Sequence, residues 1–413
     1  MVKRIPVLLL AILLLSGCSQ GGTVMSYSER QAAASKLDLR LAQQSNLLGL
    51  KLFSQLRDKS GGNLTISPYS IATALALAYN GSAGETAEEL GQLLGYAPGE
   101  LQKLNASHQA LLPVMQDAGP GIELKLANSV WGTSRLPLRE DYLKTGKAYY
   151  KAEIRTTDLA APRSVTEING WVSKHTEHTI KEMLDQPPGP DAVAVLVNAL
   201  YFKGGWKDAF PEENTRQAEF HLPADETVQV PMMSRTGYFP YAAHEDWEAI
   251  RIPYGDEQMD MLVILPSERS SLEDLETRLA EGGIPAEEDF ENRQGTVGLP
   301  RFTANYGTDL KDAVQALGVK QAFDPAKGDF SKLADTPDPI YISRIIHKTY
   351  VDVNEKGTEA SASTLVEMLA GAAPSVKLPF QMTVDRPFLF VIEDRQTGVW
   401  LFLGAIENPL LTH

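Results

Sequence analysis

The stretch from Asn354 to Thr364, Asn-Glu-Lys-Gly-Thr-Glu-Ala-Ser-Ala-Ser-Thr, constrains this chain more than any other segment. It follows a strand-like run, His347 to Val353, and carries almost no bulky side chain. Read with period two, Thr358, Ala360, Ala362, Thr364, Val366 and Met368 share one face. Glu359, Ser361, Ser363, Leu365, Glu367 and Leu369 share the other. That is the pattern of a strand with one buried face. Its residues are small enough to lose little packing when exposed, so the segment suits either a mobile loop or an inserted strand. The same composition also fits a solvated Ala/Ser linker.

Other motifs accompany it. Asn63-Leu64-Thr65-Ile66-Ser67-Pro68-Tyr69-Ser70-Ile71 is followed by Gly81-Ser82-Ala83-Gly84-Glu85-Thr86 and Ile168-Asn169-Gly170-Trp171-Val172. Next comes Leu196-Val197-Asn198-Ala199-Leu200-Tyr201-Phe202-Lys203-Gly204-Gly205-Trp206. Leu299-Pro300-Arg301-Phe302, His347-Lys348, Asp385-Arg386-Pro387-Phe388-Leu389-Phe390 and Leu403-Gly404 complete the series. With Glu355-Lys356-Gly357-Thr358-Glu359-Ala360 as a hinge, these motifs stand in the order found in the serpins, and from about residue 37 onward the chain resembles that serine-protease-inhibitor family.

At 413 residues and 43% hydrophobic, the chain can bury a large core. No Pro/Gly/Ser-rich linker divides the region after Ser35, so one large unit is as reasonable as several. The N-terminus reads as an address. Lys3 and Arg4 precede the apolar run Val7 to Leu15, too short to span a bilayer and suited to a signal-peptide core. Leu15-Ser16-Gly17-Cys18 resembles the bacterial lipobox, which implies a signal peptide over 1–17 and a lipid on Cys18, the sole cysteine. The other reading is an ordinary signal peptide with an incidental cysteine. Residues 18–36 are then expected to be a flexible, lipid-anchored tether on a bacterial envelope, facing outside the cytoplasm. A net charge of −15 argues against nucleic-acid partners and against broad docking on anionic lipid, leaving the acyl chain as the membrane contact.

No Gly-x-Ser-x-Gly elbow, His-Glu-x-x-His or phosphate-binding Gly-rich loop is found, so no enzyme is expected. On a helix, His175 and His178 could share a face with Glu182 nearby as metal ligands, but Lys174, Thr176, Thr179 and Lys181 read as a solvated surface. The glycosylation-like triplets at Asn63, Asn80 and Asn105 read as coincidence in a bacterial lipoprotein.

The residue pattern predicts a helix from Asp38 to Lys59 and another over Ser70 to Tyr79. Val193 to Phe202, apolar but for Asn198, predicts a strand buried on both faces. Asp260 to Leu265, Pro387 to Glu393 and Val399 to Ala405 are further strand candidates, giving an α+β class. The resemblance implies the rest: three β-sheets, a helical half and a reactive-centre loop over about 355–380.

It also implies a mechanism. A target protease attacks the exposed loop, and the cut loop then inserts as a new strand in the main sheet, dragging the acylated protease with it. In the hinge, which begins at Glu355, Gly357 can absorb the backbone rotation, while Thr358, Ala360 and Ala362 present no bulk, charge or proline to the slot. Roughly ten new backbone hydrogen bonds at about 1 kcal/mol each would drive insertion and leave the intact protein kinetically stable. By family position, Ser67, Ser70, Asn198 and His347 form a polar cluster beneath the sheet, and Trp206 and Lys348 lie at the top where insertion begins. The cut bond falls at Gly371-Ala372, with Leu369 and Ala370 as alternatives. Small residues there favour elastase-like or subtilisin-like endopeptidases, with cysteine proteases a further option. No basic residue between Lys356 and Lys377 offers a trypsin site. No cofactor is called for, and a monomer is expected. The alternative is a non-inhibitory serpin acting as a surface binding lipoprotein.

Overall fold

The computed structural model describes residues 25–60, 62–119, 121–223, 226–280, 285–358 and 378–412. Its helices are α1 (Tyr27–Ala34), α2 (Leu39–Ser60), α3 (Pro68–Gly81), α4 (Gly84–Leu93) and α5 (Leu101–Gln116). They continue with α6 (Glu140–Tyr150), α7 (Arg163–His175), α8 (Leu272–Ala280) and α9 (Lys311–Ala316). The strands begin with β1 (Leu64–Ile66), β2 (Ile122–Thr133), β3 (Glu153–Thr157), β4 (Ala194–Gly205) and β5 (Arg216–His221). Then come β6 (Thr227–Ala243), β7 (Trp247–Tyr254), β8 (Met259–Pro266), β9 (Glu291–Pro300) and β10 (Phe302–Asp309). The last are β11 (Ile342–Asn354), β12 (Gly357–Thr358), β13 (Phe380–Thr383), β14 (Phe388–Asp394) and β15 (Val399–Ile406).

The mixed α+β class is as expected, and the strand candidates fall on β4, β8, β14 and β15. Hydrogen bonding joins the strands into two systems among the described residues, where three sheets were expected. The six-stranded sheet runs β10-β11-β12-β4-β2-β3, and the nine-stranded one β1-β15-β14-β8-β7-β6-β9-β13, with β5 on β6. The long strand β6 causes the fusion: it pairs with β9 from Met232 to Tyr241 and with β7 from Tyr241 to Ala243, so two sheets share one strand.

Helix α3 positions the site. Pro68 stands in its first turn and the Ser67 hydroxyl accepts from Ser70 N–H, a start suited to orphaned helix donors. Every residue of α3 is buried, and its alanines let it pack closely against β4, β2 and β15. Asn80 and Asn105 are buried and exchange hydrogen bonds of 2.9 and 2.8 Å, so two of the three glycosylation-like triplets serve packing instead.

Within the described residues, the expected 18–36 tether is not irregular throughout. Part of the expected tether folds as α1, opened by a capping box between Ser26 and Glu29. Its Arg30 is fully buried, paired with Asp394 at the end of β14 and donating from Nε to the Asp117 carbonyl at 3.0 Å. Helix α7 ends at His175, and Glu177 and His178 adopt positive φ. His175 and His178 therefore share no helical face: their Nδ1 atoms contact the Trp171 carbonyl and Ser173 Oγ.

Candidate functional site

The six-stranded sheet is closed along one part and parted along another. Below the hinge, β4 and β11 pair directly in parallel, from Ile342 with Ala194 to Tyr350 with Tyr201. Above it, they diverge and β12 lies between them, antiparallel to both. Thr358 stands between Val353 and Gly204, and Gly357 between Asn354 and Gly205. The chain has thus already begun a strand in the gap.

Gly357 is required where it sits. Its φ is +133°, and an added Cβ would fall 2.2 Å from the Gly204 carbonyl oxygen and 2.7 Å from the Trp206 nitrogen. Thr358 is fully buried, with Oγ1 2.8 Å from the Tyr254 hydroxyl. Trp206 frames the turn. Its indole N–H donates to the Asn354 carbonyl at 2.9 Å, its backbone N–H to the Lys356 carbonyl at 3.0 Å, and its ring stacks 4.4 Å from Tyr254.

Glu355 anchors the same turn. Its carboxylate is buried and receives Arg301 Nε on both oxygens, at 2.7 and 2.9 Å, with Thr215 Oγ1 donating at 2.5 Å. Burial pushes this carboxyl up, but the Arg301 and Thr215 hydrogen bonds outweigh it and hold it below its ordinary value. Neither Arg301 nor Thr215 was assigned a role from the sequence; 54 residues separate Glu355 from its arginine.

Ser67, Ser70, Asn198 and His347 lie together, with Asn128 as a fifth polar neighbour. Ser67 N–H donates to His347 Nε2 at 3.1 Å, leaving Nδ1–H to donate to Asn198 Oδ1 at 2.5 Å. The Asn198 amide donates to the Ser70 carbonyl at 2.9 Å, to Ser70 Oγ and to Asn128 Oδ1. Asn128 lies opposite Asn198 on β2, and His347 lies opposite it on β11, so the three form one row across the sheet. The His347–Asn198 bond spans β11 and β4 where the two strands pair directly.

Trp206 stands at the hinge, apart from the four-residue cluster and where insertion was expected to begin, while one placement differs from expectation. Lys348 is not at the top of the sheet: it pairs with Ala199, next to the cluster row, and its Nζ donates to the Glu182 carbonyl at 2.7 Å. Alternation along β11 points it to the face opposite His347. Ala360, Ala362, Leu369, Ala370, Gly371 and Ala372, like Cys18, lie outside the described residues.

Buried histidines give the protein a pH dependence. Burial pulls His347 down to about 3. It does the same to His108 on α5, packed beside the rings of Tyr69 and Tyr150. Both are neutral when folded and take up a proton on unfolding near the ordinary value of about 6.5. Their contribution is complete above that value and is lost as pH falls toward 3. Between pH 7 and 5.5, about 1 kcal/mol per histidine should be lost, read from the urea midpoint. His108→Phe should remove one of the two contributions.

The family model described as Serpin (serine protease inhibitor) matches residues 43–409. Human leukocyte elastase inhibitor is 33% identical over 387 residues, covering 90% of this chain and all of that protein. An uncharacterized serpin-like protein of Thermococcus kodakarensis is 34% identical, covering 88% of this chain and 85% of its own length. Among solved structures, the thermophilic serpin tengpin in its native state superposes with a TM-score of 0.81 at 27% identity, covering 90% of this chain and 95% of its own. Serpin48 of Tenebrio molitor gives 0.79 at 28% identity, covering 93% and 99%.

Proposed function

Because the chain belongs to the serpin family, we propose that it is a suicide inhibitor of endopeptidases that traps its target by inserting the cut loop between β4 and β11. The target's nucleophile attacks the carbonyl on the N-terminal side of the cut bond, placed at Gly371-Ala372. The amine of the following residue leaves as a new N-terminus, and the protease stays esterified to the loop. Extension of β12 then competes with water for the acyl-enzyme.

The single observation that carries this reading is the seated hinge. Gly357 and Thr358 already pair with both neighbours, so insertion prolongs an existing strand and needs no new nucleus. What resists it is the direct pairing of β4 with β11 and the His347–Asn198 bond.

Elastase-like or subtilisin-like serine endopeptidases are the proposed targets, on the small residues from Leu369 to Ala373 and on similarity to an inhibitor named for leukocyte elastase. Anchorage through Cys18 in a bacterial envelope belongs to the same proposal and rests on Leu15-Ser16-Gly17-Cys18. Among the described residues, no helix is long and apolar enough to cross a membrane.

The test is a denaturing gel of residues 19–413 mixed with an elastase and, separately, with subtilisin, with mass spectrometry of the released C-terminal peptide. The expected result is an SDS-resistant complex and a peptide beginning near Ala372. Complete cleavage by both enzymes with no complex would overturn the proposal.

A further inference from the structure

A net charge of −15 argues against broad docking on anionic lipid, but the charge is unevenly spread. Between Lys144 and Arg155, four basic residues (Lys144, Lys147, Lys151 and Arg155) stand against one acid, Glu153. Lys144 and Lys147 lie on α6 and Lys151 closes it, all three exposed. Their i, i+3, i+7 spacing sets them on one side of the helix. The other side buries Tyr142, Gly146 and Tyr150.

The charge continues across a sheet edge. Strand β3 is the end strand of the six-stranded sheet. Its Ile154 points to α6, where an added Cβ at Gly146 would fall 2.5 Å from Ile154 Cδ1. Alternation therefore sends Arg155 to the opposite face. There it lies 5.7 Å from the Trp131 ring centroid and lines a cleft of about 510 Å³ with Gly170 and Lys174 of α7. An added Cβ at Gly170 would meet nothing within 4 Å. This mid-helix glycine serves no close packing and leaves the cleft open, where alanine would be the better helix former. The nearby acids are engaged: Glu153 by Arg155 and His175, Glu140 by Lys144, and Glu167 by Thr157. Lys151 reaches the uncharged Gln116.

We infer that this edge of the molecule is a docking surface for anionic phospholipid headgroups, with Lys144, Lys147 and Lys151 on one side of β3 and Arg155 and Lys174 on the other. The cations are spread over two helices and a strand edge. Lys144 and Lys151 stand about 10 Å apart along α6, and Lys151 and Arg155 about 13 Å apart along the chain. Such a spread suits an extended layer of negative charge better than one small anion. The described chain also begins beside this edge. Met25 N–H donates to the Asp117 carboxylate, next in sequence to Gln116, which accepts from Lys151 Nζ. Met25 stands seven positions after Cys18, a reach of at most about 25 Å in any conformation. The charge comes from the described residues alone; the choice of a membrane as occupant rests also on the proposed anchorage through Cys18.

The experiment measures binding of residues 19–413, which carry no acyl chain, to phosphatidylcholine vesicles with and without about one-third phosphatidylglycerol. A variant with Lys144→Gln, Lys147→Gln and Lys151→Gln is compared with a control of equal charge change, Lys51→Gln, Lys320→Gln and Lys327→Gln. Each cation at a lipid surface contributes about fivefold. The parent should therefore bind the anionic vesicles alone, and the first variant should bind them at least about tenfold more weakly. The control should stay within about twofold of the parent, and high salt should abolish the difference. Lys147 and Lys151 also favour the dipole at the end of α6. If the triple variant melts early, Lys144→Gln with Lys174→Gln takes its place, with a fall of at least about fivefold expected. A parent that binds both vesicles equally, or an equal fall in the control, would overturn the inference. The mass of the N-terminal peptide from the full chain made in bacteria tests the anchor separately. An unmodified Cys18 would sink the lipoprotein reading, while selective vesicle binding by residues 19–413 would still support the docking surface.

Discussion

Thr358→Arg should convert the protein from an inhibitor into a substrate. Thr358 is fully buried between Gly204 and Val353, with its hydroxyl on Tyr254. An arginine there would bring an unpaired guanidinium into the sheet, at a cost of several kcal/mol. The loop itself would be untouched, so attack and acylation should proceed at the parent's rate. Insertion would stall, and water would release the protease. On a denaturing gel, the SDS-resistant band should fall at least about tenfold while cleavage runs to completion. A complex as abundant as the parent's would show that trapping does not depend on Thr358 keeping its place in the sheet.

The second large effect is expected at the neighbouring residue. Gly357→Ala would place a Cβ 2.2 Å from the Gly204 carbonyl and 2.7 Å from Gly205 Cα, at a φ of +133°. Backbone strain and overlap together amount to about 2–6 kcal/mol. Relief comes by expelling β12 from the gap. The indole of Trp206, which donates to the Asn354 carbonyl and stacks on Tyr254, should then change environment. Its fluorescence should shift, amide exchange at Thr358 should accelerate, and trapping should fall with it. Unchanged exchange at Thr358 would mean that the slot tolerates a Cβ.

Much of this site was legible because it is local in sequence. Small residues after a strand fit a segment able to insert, the family resemblance made it a hinge, and one asparagine in an apolar run predicted a buried polar contact at Asn198. What was missed depends on pairing between distant strands. Asn128 joins the cluster only because β2 and β4 align it with Asn198. Arg301 meets Glu355 because β10 and β11 are neighbours. Gly204 and Gly205 were read as part of a motif, and their role as the wall that admits Gly357 needs the register of β12.

The errors have similar causes. Ser, Ala, Gln and Glu around Arg30 read as a linker by composition, although Ser26 and Glu29 already carried the spacing of a capping box. The partner that draws Arg30 inward, Asp394, lies 364 residues away. Family position implied the top of the sheet for Lys348, whereas its pairing with Ala199 sets it beside the cluster row and strand alternation next to the buried His347 sends it to the other face. His175 and His178 were weighed as helical neighbours, but the helix stops at His175.

The most direct test of strand insertion is to cut the loop within residues 359–377, then compare melting temperature and amide exchange with the intact protein. If the loop enters as a full strand, the melting temperature should rise on the order of 15 °C. Backbone amides of β4 and β11 between Val195 and Tyr201 and between Arg344 and Tyr350 should become more protected as each strand exchanges its direct parallel partner for the inserted strand. An unchanged or lower melting temperature, with unchanged exchange along β4 and β11, would contradict insertion and with it the trapping mechanism.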